Sequence, residues 1–157
     1  MKHETLFLRV VVCFIGIFIF SICVFGLPWG VREAVKYYPT FVLYPILIVM
    51  YVSAIPFFFA LYEGFKLLTY IDQNKAFSEL SVVVLKNIKY CAIIISILYT
   101  IVLPFFYYIA KLDNAPGILL IGLIISFASI VVMVLAAILQ KLLKNAVDIK
   151  TENDLTV

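Results

Sequence analysis

Apolar residues run almost unbroken through four stretches of this chain, at about 6–27, 41–65, 88–110 and 118–139. Roughly 20 apolar residues of helix, rising 1.5 Å each, cross about 30 Å of hydrocarbon, so each stretch is long enough to span a bilayer. Charged side chains inside them sit near the ends, Arg9 and Glu63 among them. A lone charge at bilayer depth costs about 2.5–3.5 kcal/mol. The pattern predicts an all-α integral membrane protein, a four-transmembrane-helix bundle forming a single domain over 1–157.

The polar breaks predict the turns. Gly26-Leu27-Pro28-Trp29-Gly30 should end the first helix, and Lys111 to Gly117, with Pro116, should turn the third into the fourth. Ser78 is placed as an N-cap. A helix from there to about 110 would reach about 50 Å, so its first part, 78–88, should project from the membrane. The fourth helix continues as an amphipathic segment over 140–150. Leu142, Leu143, Ala146 and Val147 form one face of it, and Lys141, Lys144, Asn145 and Asp148 the other. Leu80, Val83, Val84 and Ile88 have the matching spacing, so the two extensions should pair along these faces. Such a pair is either simple packing of helix ends or a short docking stalk. The tail 151–157 is polar and too short to fold alone.

Composition adds that 66% of residues are hydrophobic and 13% charged, with a net charge of +3. This excludes a water-soluble core and leaves no room for a second domain. The distribution of basic residues sets orientation, because cytoplasmic loops collect Lys and Arg. Lys2, Arg9, Lys66, Lys75, Lys86, Lys89, Lys141, Lys144 and Lys150 fall on one side; Arg32, Lys36 and Lys111 fall on the other. The expectation is a multi-pass protein of the bacterial cytoplasmic membrane with both termini cytoplasmic. Cys13, Cys23 and Cys91 lie in apolar runs without a C-x-x-C, as buried thiols would.

Candidate chemistry is sparse. His3 is the sole histidine, so His-based zinc, iron and Ser-His sites are unavailable. No enzyme is expected, and no cofactor or metal is called for. A four-helix proton-coupled exporter needs an embedded carboxylate, and Glu63 is the one candidate. It stands three residues before Lys66, where an ion pair or snorkelling at the interface accounts for it. Tyr51, Ser53, Ser96, Tyr99, Thr100, Ser126 and Ser129 fall near the midplane. Hydrocarbon offers their hydroxyls no partner, so interhelical hydrogen bonds are expected, with close crossings at Gly122/Ser126 and Ala60/Gly64. A small-ligand pocket among these hydroxyls is the alternative.

The segment Tyr70-Ile71-Asp72-Gln73-Asn74-Lys75-Ala76-Phe77-Ser78 and the ending Glu152-Asn153-Asp154-Leu155-Thr156-Val157 resemble the YoaS-like family of small four-span bacterial membrane proteins. The resemblance covers nearly the whole chain. It departs at Asn74-Lys75-Ala76, where relatives have a Gly-rich turn. It implies no enzymatic activity, and as a partner it implies a small helix-turn-helix, DNA-binding regulator. The leading expectation is a docking or regulatory protein that contacts the lipid bilayer and such a regulator, without touching nucleic acid itself. Its docking face would comprise Asp72, Lys75, Phe77, Ser78, Leu80, Val84, Glu152, Asp154, Leu155 and Val157. The alternative is a small transport or immunity protein using Tyr51, Ser53, Tyr99, Thr100, Ser126 and Ser129. Either could act as a homo-oligomer.

Overall fold

The computed structural model describes residues 2–156. Its helices are α1 (Lys2–Ser21), a π-helical turn (Ile22–Gly26), α2 (Leu27–Ala34), α3 (Thr40–Asp72), α4 (Glu79–Asp113) and α5 (Pro116–Leu155). Four apolar helical segments are long enough to cross a membrane: His3–Ala34, which runs through α1, the π turn and α2, then α3, α4 and α5.

The first of these corrects the expected end at 26–30. Pro28 occupies the first turn of α2, where its missing N–H would have had no intrahelical partner. The path therefore stays helical to Ala34, and Pro39, extended at φ −62° and ψ 140°, leads into α3. The tail does not fold by itself but continues α5 as helix to Leu155. A free heptapeptide would have to nucleate its own helix, whereas extending an existing one fixes a single residue per added hydrogen bond.

Both tight turns use asparagine where glycine is the common choice. Asn74 and Asn114 adopt left-handed conformations, at φ 58° and 51°. Lys75 N–H bonds Tyr70 O at 2.7 Å and Ala115 N–H bonds Ala110 O at 2.9 Å, each closing a helix end by the six-residue Schellman pattern. Ser78 holds the expected N-cap position without a side-chain cap. Its Oγ donates instead to the Lys75 carbonyl at 2.5 Å. At the opposite end, the Tyr38 hydroxyl donates to Asp113 and ties the α2–α3 turn to the end of α4.

Helix α4 is central, with α5 along one side and α3 along the other; α1 packs on α3. Val42, Ile46, Val49, Tyr99, Val102, Phe106 and Ile109 form the core in the half of the bundle nearer Asn114. Close approach of α5 requires Gly122, because a Cβ there would stand 3.1 Å from both Leu103 and Phe106. Gly64, expected at a similar crossing, has open space around it.

The paired extensions share only part of the expected face: Val84 and Val147 are buried and Ile88, Leu143 and Ala146 are half-buried, as expected. Ser81, Val82, Val84, Leu85 and Val147 are buried, while Leu80, Val83 and Leu142 are exposed. The expected seam placed Leu80 and Val83 inside. The start of α4 has two neighbours, and Ser81 turns inward to donate to the Lys75 carbonyl at 3.2 Å.

Candidate functional site

Near the middle of their lengths, α3 and α4 meet through hydroxyls. Ser53 Oγ lies 3.3 Å from Tyr99 Oη and 3.0 Å from the Met50 carbonyl. Tyr51 reaches the other way and donates to the Cys23 carbonyl in the π turn at 2.9 Å. A π turn displaces the regular hydrogen-bond ladder, and Tyr51 supplies a partner there. Thr100 and Ser129 instead back-bond within their own helices, to Ser96 O at 2.7 Å and Ile125 O at 2.9 Å. Ser126 Oγ is buried with no hydrogen-bond partner. The predicted interhelical hydroxyl bonds thus appear at Ser53, Tyr99 and Tyr51, and not at Thr100, Ser126 or Ser129.

Beside the Ser53–Tyr99 pair lies a cavity of about 550 Å³ bordered by all four spanning segments. Ile19, Ile22 and Cys23 line it from the first, Met50, Ala54, Phe57 and Leu61 from α3, Ile95 and Tyr99 from α4, and Ile125, Ala128 and Ser129 from α5. Small-molecule sites occupy about 300–1,000 Å³ and combine apolar walls with a few placed polar groups. Here the side-chain polar groups are the hydroxyls of Ser53, Tyr99 and Ser129, with the thiol of Cys23 beside them.

One turn beyond Ala60, toward the Asn74 end, stands Glu63, only 1% exposed. Lys66 Nζ lies 3.3 Å from its Oε1, and Asn87 Nδ2 donates to Oε2 at 3.3 Å. The expected Lys66 pair is present, but the expected interfacial exposure is not: α4 covers the carboxylate and Asn87 satisfies it. Lys66 also lies 5.0 Å from the centre of the Tyr62 ring. Spacing within α3 gives the Lys66 pair but cannot supply Asn87, which lies on another helix. Asn87 stands between Lys86 and Lys89 in the sequence, where a polar residue carries no distinguishing signal.

A second polar cluster fastens α1 to α3. Arg9 pairs with Asp72 at 3.1 Å and donates to Thr69 at 3.1 Å, and Thr5 donates to Asp72 at 2.6 Å. Asp72, expected on a docking face, is therefore committed within the molecule. Of the other docking candidates, Val84 is buried and the Ser78 hydroxyl is turned onto Lys75. Lys75, Phe77, Leu80, Glu152, Asp154 and Leu155 are exposed at one end of the bundle, and Val157 lies outside the described residues.

No solved structure matches the chain. It is 56% identical over 158 residues to the "Uncharacterized membrane protein YoaS" of Bacillus subtilis (strain 168), with 99% of each chain covered. The family model for "Protein of unknown function (DUF2975)" matches residues 29–157. The long apolar helices and these two matches agree, and the chain is a membrane protein belonging to the DUF2975 family.

Proposed function

We propose that the protein is a non-enzymatic, multi-pass protein of the bacterial cytoplasmic membrane that binds a largely apolar molecule between its helices. The observation that carries this reading is the cavity of about 550 Å³ walled by all four spans, with a pair of hydroxyls at its edge. The space opens sideways between α1 and α5, so a molecule soluble in lipid can fill it, and the hydroxyl pair gives such a molecule a polar contact in otherwise apolar walls. Native mass spectrometry of the protein released from lipid nanodiscs tests it. The wild type should retain one apolar molecule per chain, and Ala54→Phe or Ala128→Phe, which fill the space, should lose it. Retention by both variants sinks the reading.

The orientation we assign puts the Asn74 end and both termini in the cytoplasm, following the distribution of Lys and Arg. Cysteines introduced at Lys36 and Leu112 should label from outside, and one at Lys75 should not. The reverse pattern inverts the orientation.

A second reading rests on a separate observation. Helix α5 carries Glu152, Asp154 and Leu155 to the same end as exposed Lys75, Phe77 and Leu80, a mixed charged and apolar surface on which the two carboxylates suit a small basic regulator. Removing 152–157 should then reduce capture of that partner in membrane pulldowns. Capture unchanged by the truncation removes this reading and leaves the cavity.

A further inference from the structure

We infer that the occupant of the cavity is a neutral lipid with one hydrocarbon chain and a single hydroxyl or carbonyl group, reaching the site sideways from the bilayer past α1. The inference rests on the cavity being a binding site and adds the chemical class of what it binds.

Access comes first. Helix α1 packs on α3 and has no comparable face against α4 or α5, and none of its most apolar window is buried. The wall between α1 and α5 is therefore closed by whatever hydrocarbon lies beside it. Toward the Asn114 end the bundle is filled by Val42, Val49, Val102 and Phe106. Toward the Asn74 end, Glu63 and Asn87 bridge α3 and α4. The open route is the lateral one, so the ligand is one that dissolves in lipid.

Charge comes second. Among the described residues no Asp, Glu, Lys, Arg or His lines the cavity, and both oxygens of nearby Glu63 are engaged, by Lys66 and Asn87. A charged head group placed here would lose its hydration without a counter-charge. A neutral one meets no such penalty.

The polar handle is Tyr99. Ser53 has one proton and two acceptors in reach, the Met50 carbonyl at 3.0 Å and the Tyr99 hydroxyl at 3.3 Å. The shorter contact takes the proton. The remaining Ser53–Tyr99 contact is longer than the about 2.5–3.0 Å of a good O–H···O bond, so the Tyr99 hydroxyl is loosely held and can turn to a ligand oxygen. The shape limits the rest. From Met50 to Leu61 the lining extends about 17 Å along α3, so about 550 Å³ corresponds to a cross-section of about 30 Å², the width of one chain.

Photolabelling in nanodiscs separates these claims, using diazirine analogues of hexadecanol, hexadecanoate, hexadecyltrimethylammonium and hexadecane. The hexadecanol probe should label cavity residues of α3 and α5 most strongly and be displaced by unlabelled hexadecanol. Tyr99→Phe should lower that labelling roughly three- to tenfold, the value of one hydrogen bond, and leave hexadecane labelling unchanged. Ala54→Phe and Ala128→Phe should abolish both. If the carboxylate or ammonium probe labels best, or Tyr99→Phe does not separate alcohol from hydrocarbon, the assigned class is wrong while the cavity stands. If labelling by every probe survives both filling variants, or is displaced equally by bulk phospholipid alone, the binding site itself is refuted.

Discussion

Helices α1 and α4 are both long and apolar, yet they behave differently. Helix α4 buries a stripe from Ser81 to Ala110 between two neighbours, while among the described residues of α1 only Thr5 is buried. The window of α1 is the more apolar of the two. In water that ranking would place α1 in the core. In a bilayer the lipid tails are as apolar as the side chains, so association depends on close packing and on hydrogen bonds between helices. Helix α4 has both, through Gly122 of α5 on one side and Ser53 and Glu63 of α3 on the other. The first span has polar fastenings at two levels, Thr5 and Arg9 near its start and the Tyr51 bond to the Cys23 carbonyl in the π turn, and the cavity lies beside the second, lined by Ile19, Ile22, Cys23 and Leu27.

The contrast breaks most visibly at Gly122. Gly122→Val should cost about 2–3 kcal/mol, because the added carbons must displace Leu103 and Phe106. Unfolding by denaturing detergent measures the loss. Gly64→Ala, at a site with open space, should stay within about 0.5 kcal/mol. Equal effects at the two glycines would show that α4 and α5 do not approach as closely as described.

Arg9→Ala attacks the α1 fastening. Removing a charge-assisted pair whose side chains are 33% and 21% exposed should cost about 1–2 kcal/mol, between the values for exposed and buried pairs. Hydrogen exchange should rise across residues 3–21 and stay unchanged in α4 and α5. Loosening of the whole bundle would mean that α1 is integral to it.

Smaller again is Glu63→Gln, which keeps an acceptor for Asn87 and removes only the charge opposite half-exposed Lys66. The expected change is about 1 kcal/mol or less, read as a detergent-unfolding midpoint. Glu63→Ala, leaving the Asn87 amide without its partner, should cost about 1–3 kcal/mol. If the two substitutions are equivalent, the amide does not depend on the carboxylate. Least of all, removal of 152–157 should alter bundle stability by under about 0.5 kcal/mol, since residues 152–156 are all exposed.

Much of the frame was legible in the order of residues. The four spans, the start of α4 after Ser78, the length of the α4–α5 hairpin and the Glu63–Lys66 pair follow from runs of apolar side chains and from three-residue spacing. These are local quantities: the cost of moving a side chain from water to hydrocarbon is counted one residue at a time, and i, i+3 neighbours are fixed by helix geometry. The continuation of the first span through Pro28 was readable in principle, since proline fits a first turn. The two left-handed asparagines were readable too, Asn being a known substitute for glycine at helix ends.

Other features came from the meeting of separate segments. Burial of Glu63 needed Asn87, and capture of Asp72 needed Arg9 and Thr5. The cavity exists because α1 rests on α3 and leaves its other side open. Hydropathy tells a helix to enter the membrane, but the membrane then treats all its apolar faces alike. Which face meets which neighbour is decided by the fit of particular side chains across helices, and that is a property of the assembled bundle.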